Sequence, residues 1–308
     1  MTPHQLVAVV PFWHRGASMT LTRRRALAGI SAALTLPGHR ADAVVVPETT
    51  LRAEGLRPFI SLAHQAQFAP LVALSEDGGE DWNVASSTWI GNFGGDGYLL
   101  TAGHVYNNGG TADGYLYRTR SGQVRHGTHL FRHPLFDGDQ DNRSGYDAAI
   151  VRLDRPVTDS GTPPLLFGHE LEGGERIVFV GFGARGTGVR GEHDALDTPA
   201  DNKTAAENTV DEVMDPVEPI PADDDAGNWI RITLHREADG GERLDGLLGG
   251  GDSGGSAWLR DDDGRWGIVG INVAGTGDTT YGTHSFFASV SGLMPWLGRV
   301  LPGLRVVA

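Results

Sequence analysis

The chain of 308 residues contains no cysteine. That excludes disulfides, thiolate nucleophiles and cysteine-ligated zinc together, and it fits either a reducing compartment or export by a route that uses no disulfides. Bases are scarce as well: 25 Lys and Arg face 39 Asp and Glu, a formal charge of -14. Such a balance argues against nucleic acid or an anionic membrane as a partner. Beyond the N-terminal region there is no run of about 18 consecutive apolar residues, so no later membrane span is expected. Helical periodicity is rare, whereas turn formers are plentiful, with 45 Gly and 16 Pro. At 39% hydrophobic residues the chain is too apolar for disorder and too turn-rich for a helical bundle. Its length suits two ordinary domains or one large β-rich unit.

Residues 1–43 read as a targeting segment. Thr22-Arg23-Arg24-Arg25-Ala26-Leu27 places adjacent arginines before an apolar stretch, Ala26 to Leu36, that is too short to cross a bilayer. Ala41-Asp42-Ala43 follows as a small-x-small cleavage site. The pattern resembles a twin-arginine bacterial export signal, with Met19 as a start of normal length. The expected product is secreted or periplasmic and begins at Val44, with 44–68 as an N-terminal arm or pro-segment.

Short apolar runs rich in Val, Ile, Phe, Trp and Thr then alternate with Gly, Asp and Asn clusters. Leu71–Leu74, Ser87–Ile90, Tyr98–Thr101, Ala148–Leu153, Ile177–Phe182, Trp229–Leu234, Ser256–Leu259, Trp266–Val273 and Ser285–Val290 have the length and composition of strands. An all-β protein of barrels or a sandwich is predicted. The prolines at 156, 163 and 164 make 156–169 a linker between a β unit at 69–155 and another at 170–290, because proline donates nothing to a strand ladder. Residues 191–226 hold 12 acids against Lys203 alone, with four prolines, and read as a long solvated surface excursion. Asp137-Gly138-Asp139-Gln140-Asp141-Asn142 opens like a calcium loop but has Ala148 where a bidentate Glu is needed.

Three segments carry chemistry jointly. Gly250-Gly251-Asp252-Ser253-Gly254-Gly255 is a serine in a turn whose missing side chains let a substrate backbone approach and leave N–H groups free to converge. Thr101-Ala102-Gly103-His104 puts a histidine just past a strand-like run, and Tyr146-Asp147-Ala148-Ala149-Ile150-Val151 puts an aspartate just before one. Taken singly, each is an ordinary turn, surface histidine or strand-terminating acid. A serine nucleophile needs a base and a group to orient that base, and each requirement is met once.

Together these segments resemble the bacterial trypsin-like, or chymotrypsin-fold, serine proteases, in the family's order His, Asp, Ser. The resemblance runs from Ala69 to Pro302 and includes Trp266-Gly267-Ile268-Val269-Gly270-Ile271, similar to the strand beside the family's cleft, and a helix near Pro295-Trp296-Leu297. It implies two antiparallel six-stranded β-barrels followed by a short C-terminal helix within 291–308. It also implies a secreted serine endopeptidase acting through His104, Asp147 and Ser253, with an oxyanion hole from the N–H groups of Gly251 and Ser253. The substrate pocket would be formed by Leu247, Val273 and Gly275. Protein or peptide is the expected substrate of a monomer without cofactor or metal, and neither nucleic acid nor membrane is an expected partner. Leu247, six residues before the nucleophile, predicts a preference for an uncharged P1 residue unless Asp278 reaches the pocket.

Departures from the family pattern are specific. Ser256 stands where the family usually has proline. Gly270 or Val273 stands where a serine commonly bonds the triad aspartate. No Ile-Val-Gly-Gly start is present to supply a freed N-terminus for Asp252. Two other classes fit parts of the pattern: a catalytically silent protease-like binding module and an esterase. The Gly-x-Ser-x-Gly elbow of an α/β-hydrolase needs a helix after the serine and a long chain beyond it, whereas a hairpin pattern and 55 residues follow Ser253.

Overall fold

The computed structural model describes residues 44–138, 145–197, 202–214 and 229–307. Residues 1–43, expected to be a targeting segment, residues 139–142 of the calcium-like stretch and the four prolines of the acidic stretch lie outside the described residues.

The arm consists of β1 (Val45–Val46), α1 (Glu48–Glu54) and α2 (Arg57–Ala63). Strands β2 (Leu71–Ser75), β3 (Ala85–Phe93), β4 (Asp96–Thr101), β5 (Leu116–Arg118), β6 (Val124–Arg132) and β7 (Ala149–Leu153) follow. They close into an antiparallel barrel in the order β2-β3-β4-β7-β6-β5. Next come β8 (Leu165–Phe167), β9 (Arg176–Gly181), the short β10 (Gly186–Thr187) and β11 (Gly191–Glu192), then β12 (Thr204–Met214), β13 (Trp229–Thr233), β14 (Ser256–Arg260), β15 (Trp266–Gly275) and β16 (His284–Ser289). The order β14-β9-β12-β13-β16-β15 is closed by pairing of β14 with β15, which makes the second six-stranded antiparallel barrel. The chain ends in α3 (Val290–Val300) and β17 (Val306–Val307).

Period-two alternation decides where each strand's side chains go. In β7, Ala149, Val151 and Leu153 fill the first barrel, whereas Ile150 turns to a cluster shared by both barrels. In β9, Ile177 and Phe179 fill the second barrel, and Val178 and Val180 turn to the shared cluster. Strands between two apolar environments are buried on both faces, which is why they read as unbroken apolar runs. The two barrels are thereby packed on each other through side chains of β7 and β9.

Several boundaries differ from the sequence reading. The arm is integral to the fold: Val44, Val45, Val46, Phe59 and Phe68 are fully buried, and Phe68 packs edge-on against Trp258 and Trp266 at 5.5 and 5.6 Å. The linker 156–169 contains β8, which pairs in parallel with β15 and β17. The acidic stretch 191–226 is not one surface excursion, because Thr204–Met214 forms β12 between β9 and β13. Its apolar residues Ala205, Ala206 and Val210 are buried while Asp211 and Glu212 are exposed, so counting acids over the window hid an inward-facing set. Lys203, the stretch's one base, is buried and donates to the Phe68 carbonyl at 2.8 Å. Finally, the C-terminal helix ends at Val300, and the residues beyond it return as β17.

Candidate active site

His104 opens a single 3-10 turn immediately after β4, and Asp147 lies two residues before β7, the neighbour of β4 in the first barrel. Pairing of these strands brings the two side chains together: His104 Nδ1 is 2.6 Å from Asp147 Oδ2. The His104 backbone N–H donates to Oδ1 at 2.8 Å, so both carboxylate oxygens are fixed by one residue. This backbone donor provides the support for Asp147 that no serine at Gly270 or Val273 supplies. Asp147 is 1% exposed, which strengthens a charge-assisted bond by excluding water. Across the interface, His104 Nε2 is 2.8 Å from Ser253 Oγ. With the Nδ1 proton facing the carboxylate, Nε2 is left as the acceptor for the serine hydroxyl.

Ser253 lies in the turn that leads into β14, and the first barrel holds that turn. Ser86 of β3 donates its N–H to Ser253 O at 2.9 Å and its hydroxyl to Gly251 O at 3.1 Å, and its hydroxyl oxygen accepts the Phe182 N–H at 2.9 Å. With both carbonyls engaged, the N–H groups of Gly251 and Ser253 donate to no acceptor among the described residues. They are thus available to a developing oxyanion. Gly254 adopts φ 82°, and a Cβ there would collide with Thr101 Oγ1 and Ser86 O, so only glycine lets the turn approach the first barrel this closely. Ser256, the replacement for the family's proline, is buried and bonds Thr88 Oγ1 and Trp258 Nε1, both at 2.8 Å.

Asp252 points away from Ser253 into the protein and is fully buried. Burial pushes its carboxyl up to about 7, with N–H donors from Gly249, Gly183 and Val44 opposing the shift and the nearby Glu192 carboxylate adding to it. The Val44 N–H donates to Asp252 Oδ2 at 3.2 Å. Val44 has φ 48°, a conformation rarely tolerated by a β-branched residue within a chain. The sequence reading missed this contact; its one local signal was the apolar Val44-Val45-Val46 directly after the small-x-small site.

A cavity of about 230 Å³ adjoins Ser253, with Leu248 to Gly250 and Val273 to Gly275 among its walls. Val273 and Gly275, two of the three residues expected around a substrate pocket, both line this cavity. Leu247 is not: it is fully buried in the second barrel core and exchanges backbone hydrogen bonds with Val45, leaving its neighbour Leu248 to line the cavity. One step along an extended chain reverses the direction of a side chain. Asp278 is exposed and outside the lining, whereas Glu192, which the sequence reading did not single out, is part of it.

Two six-stranded antiparallel barrels with an acid, an imidazole and a hydroxyl aligned across their interface define the chymotrypsin-like fold. The family model of the trypsin-like peptidase domain matches residues 87–271, and the chain belongs to that family. The match spans the segments bearing His104, Asp147 and Ser253. No curated protein matches the chain.

Proposed function

We propose that the protein is a serine endopeptidase that hydrolyses peptide bonds through an acyl-enzyme. The observation that carries this reading is the continuous relay from Asp147 Oδ2 through His104 to Ser253 Oγ, with donor–acceptor distances of 2.6 and 2.8 Å. Ser253 Oγ attacks the scissile carbonyl carbon as its proton passes to His104 Nε2. Negative charge develops on the carbonyl oxygen, which the N–H groups of Gly251 and Ser253 receive; such a donor contributes on the order of 3 kcal/mol. Asp147 stabilises the imidazolium and keeps its Nδ1 proton in place. His104 then returns its proton to the leaving amine, and the carbonyl stays esterified to Ser253. Water deprotonated by His104 attacks the ester, and Ser253 leaves with the proton.

Export with removal of residues 1–43 belongs to the same reading. It is supported by the Val44 nitrogen beside the buried Asp252 carboxylate, where a new N-terminus would place an ammonium ion. Cleavage would also relieve the positive φ, because a first residue has no such torsion. The mature protein then begins at Val44, as N-terminal sequencing of the exported product should find.

A fluorophosphonate probe tests the central claim. Covalent labelling at Ser253, together with peptide turnover that Ser253→Ala reduces by several orders of magnitude in a folded protein, is the expected result. A folded protein that neither labels nor cleaves peptides is a binding module instead, and one that labels but turns over esters alone is an esterase.

A further inference from the structure

Where the turn of Ser253 enters β14, Gly254 and Gly255 together stand opposite the single residue Asn272 of β15. The Gly254 N–H donates to the Asn272 carbonyl at 2.8 Å, the Asn272 N–H donates to the Gly255 carbonyl at 2.9 Å, and the Gly255 N–H turns back to the Asp252 carbonyl at 2.9 Å. Two residues against one, with Gly254 at φ 82°, make a β-bulge, which ends regular pairing and re-aims the residues beside it. Ser253 is the next residue outward.

The Asn272 side chain fastens this bulge to a third strand. Its Nδ2 donates to the Val180 carbonyl of β9 at 3.1 Å, beneath Gly255, where a Cβ would lie 2.6 Å from Nδ2 and overlap that carbonyl. Asn272 and Val180 are both fully buried. The other end of the amide, Oδ1, is buried and accepts no hydrogen bond among the described residues. An orphaned acceptor destabilises a fold, and an apolar residue of similar size would avoid it, which leaves the Nδ2 donor as the reason for an amide here. Beyond Val180 the chain runs on to Phe182 and Gly183, whose N–H groups donate to Ser86 Oγ and Asp252 Oδ1, both at 2.9 Å. The strand that Asn272 grips therefore leads to contacts on the other side of Ser253.

We infer that Asn272 is a positioning residue for the nucleophile: its side chain sets the depth of the turn, and thereby where Ser253 Oγ stands relative to His104 Nε2 and the oxyanion donors. The inference rests on the endopeptidase reading and deepens it by a residue that touches neither the substrate nor the reacting atoms. A displacement of about 1 Å is enough to cost on the order of 100-fold in rate.

Peptide turnover and the rate of fluorophosphonate labelling, followed across pH for the processed wild-type chain and two variants, make the test. Asn272→Val removes the donor together with the orphaned oxygen, so its urea midpoint should stay near that of the wild type. Its kcat and labelling rate should both fall by about 10- to 100-fold with little change in KM. Asn272→Asp puts a carboxyl in the same buried place, where desolvation favours the neutral acid, and the O–H of that acid can donate to Val180 as Nδ2 does. Its kcat should be close to wild type near pH 7 and fall towards that of Asn272→Val as rising pH ionises the carboxyl. His104 and Asp252 are common to all three chains, so the difference between the profiles is what counts. Wild-type kcat in Asn272→Val, Asn272→Asp as slow as Asn272→Val at every pH, or failure of both variants to fold overturns the inference, while labelling of the wild type at Ser253 keeps the endopeptidase reading intact. A wild-type chain that neither labels nor cleaves peptides overturns that reading and this inference with it.

Discussion

Thr88 and Ser256 share a buried hydrogen bond of 2.8 Å that joins β3 of the first barrel to β14 of the second, three residues beyond Ser253. Ser256 Oγ also accepts the Trp258 indole N–H, so one hydroxyl serves both sides of the interface. Ser256→Ala leaves the Thr88 hydroxyl and the indole N–H buried without this partner, and should cost about 1–3 kcal/mol in urea unfolding. Combining it with Thr88→Val should add less than the single losses predict. Strict additivity would show that the bond does not couple the two residues.

Ser86 controls both carbonyls of the nucleophile turn, so its loss should act on the transition state more than on substrate binding. Ser86→Ala is expected to lower kcat by about 10- to 100-fold with a smaller change in KM, the pattern of a displaced oxyanion donor. Steady-state kinetics on a peptide substrate make the comparison. A change confined to KM would remove Ser86 from that role.

Asp252 gives the unprocessed chain a distinctive pH dependence. Its carboxyl titrates near 7 when folded and near 4 when unfolded, so between these values the folded state holds the extra proton. Stability from this group is therefore lost as pH rises from about 4 to about 7, by a few kcal/mol in total. A chain beginning at Val44 offers an ammonium ion, which holds the carboxylate charged and removes that loss. Urea midpoints of the two chains should diverge as pH is raised through this window, the processed chain being the more stable at pH 7. Parallel pH profiles would rule out the pairing.

Gly275 tests the cavity by volume. A Cβ there meets only ordinary contacts, 3.6 Å to the His284 carbonyl and 3.8 Å to Thr279 Cγ2, so the fold should accept a larger residue with little change in melting temperature. Gly275→Val should cut kcat/KM for arginine, lysine or methionine at P1 by at least tenfold while sparing alanine. Uniform loss across all P1 residues would point to damage outside the cavity.

The three residues that the structure brings together, His104, Asp147 and Ser253, and nine barrel strands stood out in local pattern, because each is signalled by adjacent residues: a glycine-dense turn around Ser253, or an apolar run bounded by turn formers. Three barrel strands were not legible. β5 has three residues, and the mostly polar β6 has a largely solvent-facing set including His126 and Thr128, so neither carries a clean alternation. β12 was obscured by its acids. Glu192 was out of reach for a different reason, since its place depends on β1, nearly 150 residues earlier in the chain. Leu247 was expected in the pocket from its place six residues before Ser253, a count that carries no information on facing, and the pleat makes one residue the difference between core and cavity.

β1 also acts as a ruler. Val45 is registered against Leu247 on one side and Gly186 on the other, which fixes the axial position of the residue before it. A strand advances about 3.3 Å per residue, so an amine one position earlier or later falls beyond hydrogen-bond reach of the Asp252 carboxylate. If the chain is processed as proposed, the fold sets its length to a single residue, and a cut one bond away would leave a terminus that this register cannot use.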